Sequence, residues 1–512
     1  MKKTIILVVA IFLTNVNIMV AQVSLPNFFS DHMVLQRNHK NPIWGTASKK
    51  ENITIQIAGQ THTAKADENG KWKIYLNPLE AGGPHQLEVT GKNKIIINDV
   101  LIGEVWICSG QSNMQMTVKA SNHSEVEIAS ANYSQIRLMN TMKIGGQIPK
   151  NNIDVEWQIC SPKTVGEFSA TAYFFGRRLH NTLGVPIGLI SNAWGGSPID
   201  GWIPKEVLRN DGHIELIEGF EKQIAGYSDA IFEQKKQEYK QWLDNGKPGK
   251  KKWPPEDLRT GRNRPGNIYN ELVHPFIGYG IKGIIWCQGE SNAARAYQYR
   301  ELFPLMINTY REKWNQGDFP FYWVQMADFH DEVNQPKGGS WAELREAQTM
   351  TLALPNTGEV IVTDIGESRD IHPKDKQTAA NRLVRHALAK DYGFDMACDS
   401  PRFSKMEIKN GKAIITFTKI DKGLYAFDVP KISGFAIAEA DQKFVWAQAK
   451  IISKNQVEVW ADSLENPVAV RFGFEQNPVV NLYDKNGLPV TPFRTDDWVG
   501  VTEGQKKAFK KY

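Results

Sequence analysis

Four short polar segments carry the residue types that acyl transfer through a serine requires. The first is Gly110-Gln111-Ser112-Asn113, which follows the apolar run Val105-Trp106-Ile107-Cys108. Such a run reads as a buried strand, and the glycine after it permits a sharp bend. The next side chains are then presented at the strand's C-terminal end rather than packed, which makes Ser112 a candidate nucleophile. A hydroxyl needs a base to lose its proton near neutral pH. His372, in Asp370-Ile371-His372-Pro373, follows a predicted sheet strand in a polar turn with a carboxylate beside it. Asp370 is the nearest group to orient the ring. Its rival is Glu290, in Trp286-Cys287-Gln288-Gly289-Glu290-Ser291-Asn292. The oxyanion of a tetrahedral intermediate needs fixed donors. The Ser112 N–H, the N–H of Gly195 or Gly196 in Ser191-Asn192-Ala193-Trp194-Gly195-Gly196-Ser197, and the amide of Gln288 or Asn292 are the candidates.

Each segment has a plainer reading on its own: a serine capping a helix, a tight glycine turn, a surface glutamate, a histidine bonded to a backbone carbonyl. What joins them is that all four, in order, fall at predicted strand ends, and the strand ends of one parallel sheet converge in space. From about 101 to 395, strands at Ile187 to Ser191, Ile284 to Cys287, Phe321 to Gln325 and Val360 to Thr363 alternate with helices at Phe168 to Leu183, Tyr297 to Trp314, Trp341 to Leu352 and Lys376 to Ala389. That order predicts an α/β domain, a parallel sheet with helices on both faces. An insertion interrupts it at about 201–270, with a polar helix near Ala230 to Leu243 and a basic loop around Lys247-Pro248-Gly249-Lys250 that reads as solvated surface. Residues 22–100 read as a β domain with a hairpin turn at Asn69-Gly70. Residues 396–512 return to short strands, among them Val445 to Ala449, and form either their own sandwich or one β domain with the N-terminal strands.

With 23% charged and 41% hydrophobic residues in 512, the composition is that of a soluble globular protein of several domains. Lys2 and Lys3 precede an apolar run, Ile5 to Leu13, closing at Met19-Val20-Ala21. Residues 1–21 therefore read as an export signal, which places the mature chain in the periplasm or outside the cell. Removing the two lysines takes the net charge from +5 to +3, which gives no reason to expect a nucleic-acid partner, and no later stretch is long and apolar enough to span a membrane. Four cysteines do not make a disulfide scaffold. Cys108 and Cys287 read as buried thiols, and a bridge from Cys160 or Cys398 is open. No paired Cys/His spacing suggests zinc, and no cofactor is expected.

The four blocks, together with Phe29-Ser30-Asp31-His32-Met33-Val34-Leu35-Gln36, resemble the sialate O-acetylesterase family, a branch of the SGNH hydrolases. The likeness runs from about 25 to beyond 480. It implies a flavodoxin-like α/β/α fold and a metal-free serine esterase that removes acetyl groups from carbohydrate hydroxyls, with Ser112 as nucleophile and His372 as base. Many SGNH enzymes place Asp three residues before His. Here that position is Arg369 and Asp370 lies two before, so the acid is Asp370, a backbone carbonyl, or Glu290 as in related acetyl xylan esterases. Trp194 and Tyr297 are candidates to stack on sugar rings, and Arg295 or Arg345 to hold a sugar carboxylate. The competing expectations are an esterase of acetylated xylan or another plant polysaccharide, and a carbohydrate-binding protein with a decayed site.

Overall fold

One long strand, β1 (Lys94–Gly110), joins the two kinds of sheet in the N-terminal three-quarters of the chain. The computed structural model describes residues 22–250 and 252–506, so the predicted export signal lies outside the described residues. The first half of β1 pairs antiparallel with Gly82–Thr90, which in turn pairs with Asn52–Ile57. From Glu104 onward β1 lies at the centre of a parallel sheet with β2 (Tyr133–Asn140), β4 (Ile187–Ala193), β5 (Gly283–Cys287), β6 (Phe321–Val324) and β7 (Thr357–Val360). A short β3 (Gln158–Cys160) adds antiparallel at the edge of β2. The order is β7-β6-β5-β1-β4-β2-β3.

Burial on both faces explains why β1 reads as an unbroken apolar run. Trp106 and Cys108 enter one hydrophobic core, together with residues of α2 (Ala170–Leu183) and α5 (Lys376–Asp391), while Val105 and Ile107 enter the other. That second core holds α3 (Ala296–Trp314) and α4 (Ser340–Met350), and it continues without a break into the N-terminal strands. There Phe28 and Phe29 pack on Trp44 and Tyr279, with Phe276 on Phe28. Residues 22–100 thus share a core with the α/β layer.

The chain leaves β1 with β4 on one side and β5 on the other, so the C-terminal end of β1 is where the sheet order reverses. Two features make the turn there possible. Gly110 sits at φ +135, and a Cβ on it would stand 2.1 Å from the Cys287 carbonyl oxygen at the end of β5. That carbonyl also accepts the Gln111 N–H at 2.8 Å. The one-turn helix α1 (Ser112–Gln115) follows directly.

Three details differ from the sequence expectation. The two-residue hairpin is at Ala58-Gly59, between Asn52–Ile57 and Gln60–Lys65. Asn69-Gly70 instead turns the chain from one sheet into another, where Lys71–Tyr75 pairs with Pro42–Thr46. The ladder of β7 lies three residues earlier than the apolar run Val360 to Thr363 suggests. The run Val445 to Ala449 divides between two sheets, as Val445–Trp446 and Gln448–Ser453. These belong to two four-stranded antiparallel sheets that enclose a third core of residues such as Ile415, Phe435, Val457 and Phe472. No described strand of this C-terminal unit pairs with the N-terminal strands. All four cysteines are free, with Cys108, Cys160 and Cys287 buried, so neither Cys160 nor Cys398 makes a bridge.

The close approach at Gly110 gives a direct expectation. Gly110→Ala forces both a left-handed alanine and a clash with backbone, and should cost more than about 2 kcal/mol of stability. A thermal midpoint unchanged from the parent would contradict this packing.

Candidate active site

Ser112 is the first residue of α1, at the mouth of the sheet's central strand. Being at a helix start, its N–H has no partner within the helix, and among the described residues neither the Ser112 N–H nor the Gly196 N–H has an acceptor. The Gly195-Gly196 turn follows β4, whose last residues pair with the end of β1. A Cβ built on Gly195 would stand 3.2 Å from the Ser112 Cβ, so glycine there is what lets the loop close over the serine.

The neighbouring Asn113 holds the strand ends together. Its Nδ2 donates to Glu290 Oε1 at 2.6 Å and to the Ile371 carbonyl at 3.2 Å, and its Oδ1 accepts from Lys376 Nζ at 2.6 Å. With acceptors on one side and an ammonium on the other, the carboxamide has one satisfactory orientation. Three segments distant in sequence thereby meet at one side chain beside Ser112: the turn after β5, the loop after β7, and the start of α5. Ile371 is adjacent to His372, so this bond ties the histidine loop to the serine turn. In this structure no hydrogen bond joins Ser112 Oγ to the His372 ring.

His372 is partly exposed, and its Nδ1 lies 3.4 Å from Asp370 Oδ1, the same oxygen that accepts the His372 backbone N–H at 3.0 Å. Asp370 is therefore the carboxylate at the ring nitrogen. Glu290 is placed differently. It is half-buried as a residue, with Oε1 accepting from Asn113 and Oε2 shielded from solvent without a partner in the protein. Burial pushes its carboxyl pKa up, opposed by its own backbone N–H, by the Asn113 bond and by the charges of Lys376 and His372. Burial likewise lowers Lys376 to about 8, against the attraction of the carboxylates Glu290, Asp370 and Glu367. Burial also raises the Cys287 thiol to about 12, so it stays protonated. Behind this network lies a cavity of about 40 Å³, with Asn113, Cys287, Glu290, Pro373 and Lys376 among its lining residues and neither Ser112 nor His372 on its wall. It has room for one or two waters.

Several candidates named from sequence sit elsewhere. The Gly195 N–H already donates to Gln115 Oε1 at 2.7 Å. Gln288 Nε2 donates to the Ser197 carbonyl and to Asn292 Oδ1, and Asn292 Oδ1 also accepts the Ile199 N–H, so both amides are spent on bracing the Gly195-Gly196 loop. Arg295 is buried against Asp200, with two oxygens at 3.0 Å, and cannot face a substrate. Arg345 is fully buried and clamps the C-terminal unit through the carbonyls of Glu475 and Gln476. Trp194 belongs to the core rather than to the mouth. Tyr297 is half-exposed, but its ring is covered by the Arg300 guanidinium at 4.4 Å and its backbone is tied to Thr502. All of these are polar or aromatic groups next to motif ends, and sequence does not tell which face of a turn they occupy.

Two residues escaped the sequence reading. Lys376 looks like the first residue of an ordinary amphipathic helix. Arg262, from the inserted segment, lies over the Gly196 turn: a Cβ on Gly196 would stand 3.2 Å from its Nε. Its NH1 pairs with Glu256 at 2.7 Å, its Nε is buried without a partner, and its charge, after burial, lowers the pKa of Lys143. As for metals, His386, Cys398 and Asp399 are near one another among the described residues. Asp399 is already paired with Lys390, Arg402 and Lys419, so that position has its positive charge supplied.

Comparison with known proteins places the chain in a family. The profile of a family described as carbohydrate esterase, sialic acid-specific acetylesterase, matches residues 102–245 and 251–392. The human sialate O-acetylesterase is 27% identical over 91% of each chain, and the mouse one is 28% identical over 77% of this chain and 78% of its own. The crystal structure of a carbohydrate acetylesterase from Xanthomonas citri is 35% identical, covers 93% of this chain and 100% of its own, and superposes with a TM-score of 0.78. Among the described residues no helix is long and apolar enough to cross a membrane. With the family profile lying over both halves of the parallel sheet, the chain belongs to the sialic acid-specific acetylesterase family of carbohydrate esterases and is a carboxylic ester hydrolase.

Proposed function

We propose that this esterase is exported and removes acetyl groups from sugar hydroxyls by two-step transfer through Ser112. The observation that carries the reading is the Asn113 side chain, which fastens the loop bearing His372 to the turn bearing Ser112. His372 takes the Ser112 hydroxyl proton as Oγ bonds to the acetyl carbonyl carbon, and the carbonyl π electrons move onto oxygen. The N–H groups of Ser112 and Gly196 receive that oxyanion, with Gly195 joining them once the Gln115 side-chain Oε1 withdraws. Collapse breaks the bond to the sugar oxygen, which leaves with the proton from His372. Water then attacks the acetyl-enzyme with His372 again as base, releasing acetate and restoring Ser112. Asp370, at Nδ1, orients the ring and stabilises the imidazolium, and Glu290 supplies buried negative charge on the other side.

Arg262 and Lys143 favour a sugar that carries its own negative charge over a neutral xylan chain. A guanidinium with an unpartnered Nε beside the oxyanion turn suits a carboxylate. The inserted segment would then contribute to substrate choice.

Ser112→Ala should lower acetate release from para-nitrophenyl acetate by at least about 10³-fold and abolish labelling by a fluorophosphonate probe. Parent-like turnover by a clean preparation of the variant would remove the nucleophile. Failure of the parent protein itself to label or turn over would favour a carbohydrate-binding protein instead. Arg262→Ala should raise KM for an acetylated acidic sugar about 10-fold or more relative to KM for acetylated xylan, since a charge-assisted hydrogen bond is worth about 1.5–3 kcal/mol. Equal changes for both substrates would count against charge recognition at this position.

A further inference from the structure

Resting on the Ser112–His372 reading, we propose that Lys376 is a positioning residue for hydrolysis, acting through the carboxamide of Asn113 to hold Glu290 ionised and the His372 loop in place. Lys376 is buried and touches neither the serine nor the histidine of the proposed reaction. Its Nζ is fixed on Asn113 Oδ1, and the same carboxamide gives one hydrogen of Nδ2 to Glu290 and the other to the Ile371 carbonyl. An ammonium on the amide oxygen polarises the group, which strengthens both N–H donations beyond what a neutral donor could support. The arrangement is a branched relay with one cation at its root, the buried carboxylate on one branch and the histidine loop on the other.

The charges require that cation. Glu290 has one side-chain hydrogen-bond partner, its Oε2 is shielded from water without a partner, and ionising it is unfavourable unless positive charge stands nearby. The charged groups set against Glu290 are Lys376, on α5, and His372, on the loop before it. Those set against Lys376 are Glu290, Asp370 and Glu367. As His372 takes the serine proton, an ionised Glu290 lowers the energy of the imidazolium. A Glu290 that has taken a proton does not. Lys376 is buried and the Glu290 Oε2 atom is shielded from solvent, so water screens these charges weakly.

The sign of the pH effect follows. Removing the ammonium takes away a charge that opposes a proton on Glu290, so Glu290 holds its proton to higher pH. Lys376→Met should lower kcat/KM for para-nitrophenyl acetate at neutral pH by about 100-fold. It should also move the acid limb of the pH profile upward by about one unit or more. Lys376→Arg, keeping the charge, should recover part of the rate and return the limb toward the parent position. Asn113→Ala should lower kcat with KM little changed, and adding Lys376→Met to it should cost much less than the product of the two single losses. A limb that stays in place while the rate falls uniformly, or losses that simply multiply, would overturn the proposal. Should Lys376→Met not fold, the same tests on Lys376→Gln and Asn113→Ala decide it. Fluorophosphonate labelling of Ser112 in the parent enzyme is measured alongside, so that failure of the relay is distinguishable from failure of the serine mechanism.

Discussion

The candidate active site depends on one side chain with three partners. Asn113 joins the end of β1 to the turn after β5, the loop after β7 and the start of α5. Nothing in the parallel sheet itself requires that the loop before α5 return to the central strand, because β7 lies three strands away from β1. The hydrogen bond to the Ile371 carbonyl makes that return specific. The glycines support it on either side. Gly110 lets β1 end hard against the carbonyl of β5, and Gly195 lets the loop after β4 close over the serine. An added methyl at either place would push apart strand ends that the chemistry needs together.

The same region carries a burden of buried charge. Glu290 and Lys376 are both removed from water without being in direct contact as an ion pair, and an amide stands between them. Buried charges are costly unless each is compensated, and here compensation is partial, as the unpartnered Glu290 oxygen shows. Two other buried pairs are in direct contact: Arg295 reaches both oxygens of Asp200 through one nitrogen, and Arg382 is bidentate to Asp364. The contrast separates charges that brace the fold from a pair whose incomplete compensation leaves its protonation sensitive to one neighbour.

Much of this was legible in the sequence, for a physical reason. Apolar runs followed by glycine and polar residues mark strand ends in a sheet buried on both faces, and strand ends are where such a sheet exposes side chains. That logic located the Ser112 turn, the Gly195-Gly196 turn, the Glu290 turn and the His372 loop. It did not distinguish side chains that face the mouth from those that brace it. Gln288, Asn292 and Arg295 have the chemistry of a site, but their donors are satisfied internally by bonds to residues some 90 positions away or within their own turn. Lys376 and Arg262 were illegible for the opposite reason. Each sits in a segment whose local pattern looks like ordinary surface, and only tertiary placement gives it a partner. The Asn69-Gly70 turn shows the same limit, since its local geometry is right but its strands pair elsewhere.

The central claim is that an acetyl group passes through Ser112. It is tested most directly by quenching the parent enzyme with acid during turnover of an acetyl ester and mapping the digested peptides by mass spectrometry. The account predicts one added acetyl group on the peptide containing Ser112, absent when His372 is replaced by alanine. An acetyl group trapped on another side chain would contradict it, as would full-rate acetate release with no modified peptide under conditions where formation of the intermediate outpaces its hydrolysis.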